Sequence, residues 1–417
     1  MSFSIQQAAR ETRNASVTIA ALSAERKRKL LMAISQHIVA QTDSILDANN
    51  LDTENARAQG HDKTVVDRLM LTKQRVMSIA NAVADIAAQP DPVGEVSQMH
   101  TLPSGLQVGK MRIPLGVIAM IYEARPQTTT DAAALCLKAG NAVILRGSNE
   151  ALHSNLALAA CIHHVLKEHD LDPALVTLVP NPSRTILKQL VGLKQDIDLV
   201  IPRGGEGLIE FVTDHSRIPV IQHRKGVCHL YVDAHARHDT ALALLEDGKT
   251  RHADICNALE TCLVHVDQAA SLLPHVARLC AAHGVVVHAC ERAIDYFDEA
   301  MPAVRSDWQA EYLALEIAIK VVDSYDDAVG HIREHGTGHT DVIATDHYQT
   351  AQRFIQDVHS AVVMVNASAR FATSEQLGMG AEIGVSSSKL HAYGPMGAHA
   401  LTTEKFVVLG DGEVRQP

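Results

Sequence analysis

The stretch GVIAMIYEARPQTTTDAAALCLKAGNAVILRG, residues 116–147, decides the fold class. GVIAMIY is a short apolar run and reads as a strand covered on both faces. TTTDAAALCLKAG (128–140) reads as a helix that stops on Gly140. NAVILRG (141–147) is a second strand. Strand, helix and strand in such short order make a βαβ unit, and its two strands must lie parallel.

The same rhythm continues on both sides. EALHSNLALAACIHHVLKEH (150–169) is a helix and VTLVP (176–180) a strand. RTILKQLVGL is a short helix, IDLVIPRGG (197–205) a strand entering a glycine turn, EGLIEFVTDHS a helix and IPVIQH (218–223) a strand. A second alternating block runs from 228 to 366 through segments such as CHLYVD, ETCLVHV, TDVIATD and AVVMVN. Upstream, residues 16–48 and 64–89 carry helical periodicity, the second ending before Pro90 and Pro92. EVSQMHTLPSGLQVGKMRIPLG (95–116) alternates around a PSG turn and reads as a hairpin, and LTTEKFVVLGDG (401–412) as a closing strand. The expected architecture is α/β: two open, Rossmann-like domains plus an oligomerisation arm made of the hairpin and the late strand.

The chain has 417 residues, enough for two or three domains with a large core. Apolar residues make up 47%, charged residues 20%, and the formal charge is -11. An acidic chain without a Lys/Arg block is a poor ligand for nucleic acid or an anionic membrane. No apolar run approaches the ~20 residues a membrane helix needs. The opening MSFSIQQAARETRN shows no basic-then-apolar leader, so a cytoplasmic location is expected. Seven scattered cysteines without a CxxC pair point to a reducing compartment and away from structural zinc. The 24 histidines read as compositional bias with surface placement. HGTGH (335–339) lacks a third ligand, so no metal site is expected.

The chemistry has three candidate places. GxGxxG is absent, but RGGEGLIE (203–210) sets Gly204 and Gly205 at a strand-to-helix turn. Backbone N–H groups there face either a phosphate or nothing more than a tight turn. Arg146 and Ser148 lie just past a strand's carboxyl end, where open α/β sheets bind ligands. Arg146 reads either as a phosphate partner or as an ordinary surface arginine. In ADICNALETCLVHV (253–266), Cys262 falls within a strand and reads as core. Cys256 falls among polar residues between helix and strand, where a thiolate nucleophile can be partly exposed and near N–H donors.

Across almost its whole length the chain resembles the aldehyde dehydrogenase superfamily and, within it, the γ-glutamyl phosphate reductase family. The likeness rests on IPLGVIAMIYEARPQTTTDAAALCLKAGNAVILRG (113–147), DLVIPRGGEGLIEFV (198–212), IPVIQHRKGVCHLYVD (218–233), DICNALET (254–261) and MVNASARFATSEQLGMGAEIGVSSSKLHAYGPMG (364–397). The resemblance implies that Cys256 is the nucleophile, with Asn257 and backbone N–H groups around an oxyanion. It implies an NADP(H) site at Arg146, Ser148, Gly204 and Gly205, with Glu311 on the nicotinamide ribose. It divides the chain into an NADP-binding domain (1–95 and 111–227), a catalytic domain (228–366), an arm (96–110 and 400–417) and a return segment (367–399).

Hydrolytic relatives carry a glutamate base in an ELGG segment, whereas the corresponding KGVCHLYVD (225–233) has none. An acyl group exchanged with phosphate needs no activated water. The resemblance therefore implies NADPH-dependent reduction of L-glutamyl 5-phosphate to glutamate 5-semialdehyde and phosphate through a cysteine thioester, the second step of proline biosynthesis from glutamate. The oxyanion-hole asparagine of the relatives' PWN motif is missing, and Arg125 in IYEARP (121–126) falls near its place: it reads either as a partner, with Arg370, for the substrate's anionic groups or as a structural salt bridge with Glu123 or elsewhere. Glu382 is expected to meet the substrate's ammonium. A homo-oligomer and a complex with glutamate 5-kinase are expected partners. A hydrolytic semialdehyde dehydrogenase, a histidine-rich metal-binding scaffold and an inactive relative are the alternatives.

Overall fold

The structure, a computed structural model, describes residues 3–222 and 225–415. The chain divides into two compact units. The first comprises the described residues of Met1–Gln222, Gly378–Gly384 and Met396–Pro417. The second comprises those of His223–Leu377 and Val385–Pro395, and so is inserted into the first.

In chain order, the first unit opens with α1 (Ile5–Ala20), α2 (Ala24–Ala40), α3 (Thr42–Ala58), α4 (Lys63–Leu69) and α5 (Lys73–Ala88). The periodicity over 16–48 thus covers parts of three helices. Ser23 starts α2 by accepting from the Arg26 N–H, a serine cap that hydrophobic spacing does not reveal. The periodicity over 64–89 is broken in the same way. Thr72 caps α5 through the Arg75 N–H, and the buried Asn49 amide binds both the Leu69 carbonyl and the Leu71 N–H.

Next come β1 (Val96–Thr101) and β2 (Gln107–Pro114), an antiparallel hairpin as the PSG turn predicts. β3 (Val117–Tyr122), α6 (Gln127–Lys138) and β4 (Ala142–Arg146) form the βαβ unit, and all six residues of β3 are buried. α7 (Leu152–Glu168), β5 (Val176–Leu178), α8 (Arg184–Leu190), β6 (Leu199–Arg203) and α9 (Glu206–His215) complete the run. The four parallel strands stand in the order β5-β4-β3-β6. The order reverses between β3 and β6, so that crevice is the topological switch point. Of the strand expected at 218–223, Val220 makes one parallel bridge to Val200, and His223 lies outside the described residues.

The second unit contains β7 (Cys228–Val232), α10 (His238–Thr250), β8 (Leu259–His265), α11 (Val266–His283), β9 (Val286–Ala289), β10 (Met301–Pro302), β11 (Glu316–Val322), α12 (Tyr325–His335), β12 (Thr340–Ala344), α13 (Tyr348–Asp357) and β13 (Val362–Val365). Its seven-stranded sheet, β10-β9-β11-β8-β7-β12-β13, is parallel throughout. One apolar cluster gathers Leu230, Cys262, Leu272 and Ile319, and another gathers Tyr231, Ile343 and Phe354. The short strands β14 (Gly384–Ser386) and β15 (Gly394–Met396) pair with each other. β16 (Thr402–Leu409) then joins β2 to make the three-stranded sheet β1-β2-β16.

Surface placement does not account for all the histidines. His229, His331 and His339 are buried in the second unit. His229 Nδ1 lies 2.8 Å from Asp341, and His331 Nδ1 lies 3.0 Å from Lys320 Nζ. Burial and the neighbouring cations pull the His331 pKa down to about 2, so that ring is neutral. Among the described residues, no group of three or more His, Cys, Asp and Glu side chains is placed to hold a metal. Likewise, no described helix is long and apolar enough to cross a membrane.

Gly116 sets how the chain enters β3. Its φ is +123°, and an added Cβ would stand 2.2 Å from Asp198 Oδ2. That carboxylate accepts the Val117 N–H at 2.7 Å and pairs with Arg13 at 2.7 Å. Gly116→Ala is therefore expected to destabilise the protein by at least roughly 1–3 kcal/mol from backbone strain alone. A lowered midpoint in denaturant unfolding with an unchanged m-value checks this.

Candidate active site

Cys256 sits in a turn between the end of α10 and the start of β8. The Ala258 N–H closes the turn on the Ile255 carbonyl at 3.0 Å. The turn lies at the amino ends of β7 and β8, where Cys228 pairs with Leu259. Ligands of open parallel sheets usually gather at the carboxyl ends. Here the placement follows from chain order, because the polar turn precedes its strand.

The backbone of residues 225–227 runs directly against Cys256. A Cβ on Gly226 would lie 1.9 Å from the Cys256 carbonyl oxygen. The Gly226 N–H donates to Glu311 Oε1 at 2.8 Å, and the Cys228 thiol donates to the Cys256 carbonyl at 3.4 Å. Glu311 and Cys256 are thereby brought to the same short segment. Behind the turn, Lys249 and Glu260 form a fully buried ion pair of 2.7 Å. Glu260 also accepts the Leu313 N–H at 3.4 Å. Burial raises the Glu260 pKa to about 7 against the opposing pull of Lys249. Gly248 lets α10 close on β8, since a Cβ there would meet Leu259 Cδ1 at 2.6 Å.

Of the seven cysteines, only Cys256 and Cys290 are partly exposed. Cys290 Sγ accepts the Val321 N–H at 3.3 Å. Burial pushes the thiols of Cys262 and Cys280 up to about 12 and that of Cys161 up to about 11, and raises those of Cys136 and Cys228 further. Those five favour the unreactive thiol form.

Asn257, expected near the oxyanion, follows Cys256 directly in the turn. Its Nδ2 donates to the Arg370 carbonyl at 3.3 Å, so the amide fastens the 3-10 turn Ala369–Phe371. The Asn257 backbone N–H has no acceptor among the described residues. Arg370 is itself engaged, with Nη1 3.2 Å from Asp247 Oδ1. Ser368 Oγ donates to the other oxygen of Asp247 at 2.6 Å. An anion at Arg370 would have to share or displace that carboxylate.

In the first unit, Arg146 and Ser148 follow β4 directly. Arg146 Nη2 donates to the Pro182 carbonyl, while its Nε and the Ser148 Oγ are shielded from solvent without a partner. Burial lowers the Arg146 pKa against the opposing pull of Glu150 and Glu123. Two orphaned donors at a strand's carboxyl end suit a ligand rich in acceptor oxygens, such as a ribose or phosphate. Gly204 and Gly205 lie at the turn from β6 into α9, the strand-to-helix turn the sequence predicts, but Glu123 fills that turn. Gly205 starts α9, and its N–H donates to Glu123 Oε2 at 3.1 Å. A Cβ on Gly204 would stand 2.6 Å from Glu123 Cδ. The carboxylate takes the place an anion would take at a helix N-terminus, so a phosphate bound there must displace it.

Arg125 is exposed just before α6 and lines a cavity of ≈ 380 Å³. Glu382 belongs to the first unit and Arg370 to the second. The roles of Gly226, Lys249, Glu260 and Glu123 had no signal in the sequence, because each depends on a contact that no spacing encodes.

Comparison with known proteins gives a consistent result. Residues 2–288 match the model of the aldehyde dehydrogenase family. The gamma-glutamyl phosphate reductase of Colwellia psychrerythraea is 52% identical over 415 residues, covering 99% of each chain. That of Idiomarina loihiensis is 51% identical over 410 residues, covering 98% of this chain and 97% of the relative. The crystal structure of gamma-glutamyl phosphate reductase from Thermotoga maritima superposes with a TM-score of 0.96 at 39% identity, covering 98% of this chain and 99% of that one.

Two outcomes follow from the packing around Cys256. Gly226→Ala is expected to displace the Cys256 main chain and lower kcat/KM by roughly 10²-fold, the scale of a 1 Å misplacement. Circular dichroism would show the fold retained. Lys249→Met or Glu260→Leu alone is expected to cost about 3–5 kcal/mol, because each strands a buried charge. The double variant should lose less than either single one, which a double-mutant cycle in denaturant measures.

Proposed function

The chain belongs to the aldehyde dehydrogenase family, among its gamma-glutamyl phosphate reductases, and we propose that it reduces L-glutamyl 5-phosphate to L-glutamate 5-semialdehyde. It is an oxidoreductase. The family uses a nicotinamide cofactor, and NADP(H) is our reading for this member. The relatives' printed name supports proline biosynthesis as the setting.

The observation that carries the mechanism is the setting of Cys256: a partly exposed thiol in a polar turn, next to the Asn257 N–H, which has no acceptor among the described residues. The thiolate attacks the γ-carbonyl carbon. A C–S bond forms, the C–O bond to phosphorus breaks, and phosphate departs with the electron pair. The Asn257 N–H stabilises the negative oxygen during this exchange. A nicotinamide cofactor held at Arg146 and Ser148 would supply hydride to the thioester carbon, giving a hemithioacetal. That intermediate collapses, returning the thiolate and releasing the aldehyde. The segment KGVCHLYVD has no glutamate to activate water, and its one carboxylate, Asp233, is bound to Thr345 and the His235 N–H, which favours phosphate over water as the acyl acceptor.

Arg146 and Ser148 fit the acceptor oxygens of the cofactor, and a guanidinium fits the extra phosphate of NADP. Glu311, tied to Gly226, is the proposed contact for the nicotinamide ribose. A cytoplasmic location, homo-oligomer formation through the β1-β2-β16 sheet, and association with glutamate 5-kinase belong to the same reading.

The reaction is best tested in reverse. Protein, glutamate semialdehyde and NADP⁺ are mixed with and without inorganic phosphate, and NADPH absorbance is followed. NADPH formation is expected to require phosphate, and Cys256→Ala to lower kcat by at least roughly a thousandfold, as loss of a covalent nucleophile does. Phosphate-independent turnover would establish the hydrolytic dehydrogenase instead.

A further inference from the structure

The break between α4 and α5 builds a second place with unusual chemistry. Arg68 from the end of α4, Arg75 from the first turn of α5 and Arg125 from the segment before α6 converge on the ≈ 380 Å³ cavity, together with Ser78, Gln127 and Asp131. That volume lies within the ~300–1,000 Å³ of small-molecule sites. The wall is held firmly. Arg75 Nη1 donates to the Asp67 and Met70 carbonyls at 2.8 and 2.6 Å, and Asn49 pins the break through Leu69 and Leu71. Arg68 has no ion-pair partner among the described residues.

Asp131 is the anomaly. Its Oδ1 is shielded from solvent and has no hydrogen-bond partner among the described residues. None of the three guanidiniums lies within ion-pair distance of it among the described residues. Burial without compensation pushes its pKa up to about 7. A buried polar atom left in this state costs free energy, and it needs an explanation. A cavity that presents three cations and, apart from them, one uncompensated carboxyl has the polarity of a zwitterion's complement.

We propose that this cavity binds the head group of an α-amino acid, with the α-carboxylate on Arg68 and its neighbouring arginines and the α-ammonium on Asp131. Under the proposed function, on which this identification of the ligand rests, the amino acid is the glutamyl moiety of the substrate. Asp131 then holds the ammonium in place of Glu382, and Arg68 joins Arg125 as a carboxylate contact. An arginine cluster alone fits any small anion, so Asp131 is the group that selects an amino acid over an inorganic one.

Calorimetric titration of the full chain with L-glutamate, glutarate and 4-aminobutyrate separates the two contacts. Glutarate lacks the α-ammonium and 4-aminobutyrate lacks the α-carboxylate. The wild type is expected to bind L-glutamate at least tenfold more tightly than either analogue. Asp131→Asn should abolish the preference over glutarate, and Arg68→Gln the preference over 4-aminobutyrate. Asn at 131 removes an uncompensated charge, so that variant is expected to fold. A preference retained in both variants, or never present in the wild type, overturns the assignment. The reverse assay keeps the two readings apart. Phosphate-dependent turnover with unchanged KM for glutamate semialdehyde in both variants leaves the activity standing and sinks the cavity's role. The expected titration without any turnover leaves the cavity standing and sinks the activity.

Discussion

Gly226 is packed against the Cys256 carbonyl with no room for a side chain, and the reactive turn depends on that contact. Two pieces of backbone can approach this closely only where one carries no Cβ. The approach lets a single N–H of Gly226 reach Glu311, and it sets the Cys228 thiol against the same carbonyl. Behind the turn, the Lys249–Glu260 pair ties α10 to β8. The Cys256 turn is therefore fixed from both sides while its thiol remains partly exposed. A nucleophile on so constrained a loop loses little entropy on reaching its attack geometry.

Charge is arranged by the same economy of contacts. The chain is acidic overall, yet the ligands proposed for it are anionic. The structure reconciles these by assigning carboxylates to particular cations and leaving others uncovered. Asp247 covers Arg370, and Glu123 occupies the start of α9. Among the described residues, Arg68 has no ion-pair partner and the Arg146 Nε no hydrogen-bond partner. Local imbalance, rather than net charge, decides where an anion is attracted.

Much of this was legible in the sequence. The apolar runs of β3, β4 and β6 and the glycine after α6 fixed the parallel sheet of the first unit, because a strand buried on both faces leaves a continuous apolar signal. The partly exposed thiol was legible because DICNALET is polar just ahead of a strand. The breaks within the early helices were not. Thr72 and Ser23 look like ordinary helix residues until their side chains are seen accepting N–H bonds. The cavity was hidden for the same reason, since Arg68 and Arg75 line one cavity with Asp131 only because α4 and α5 are separate helices. The contact of the Asn257 side chain with the Arg370 carbonyl was equally hidden, because the two lie more than a hundred residues apart in sequence.

The insertion of the second unit into the first bears on how the chain is made. β2 pairs with β16 along its full length, with Pro114 opposite Thr402 and Gln107 opposite Leu409. During synthesis at roughly 5–20 residues per second, β2 waits some tens of seconds for its partner. Throughout that interval one row of its backbone N–H and C=O groups is unpaired, and such an edge is a template for association with another nascent chain. Long-range pairing of this kind also slows folding, because the loop must close before the ladder can form. Lys110 and Arg112 stand on β2 through the wait, and their charge opposes like edges meeting before Glu404 arrives to neutralise it.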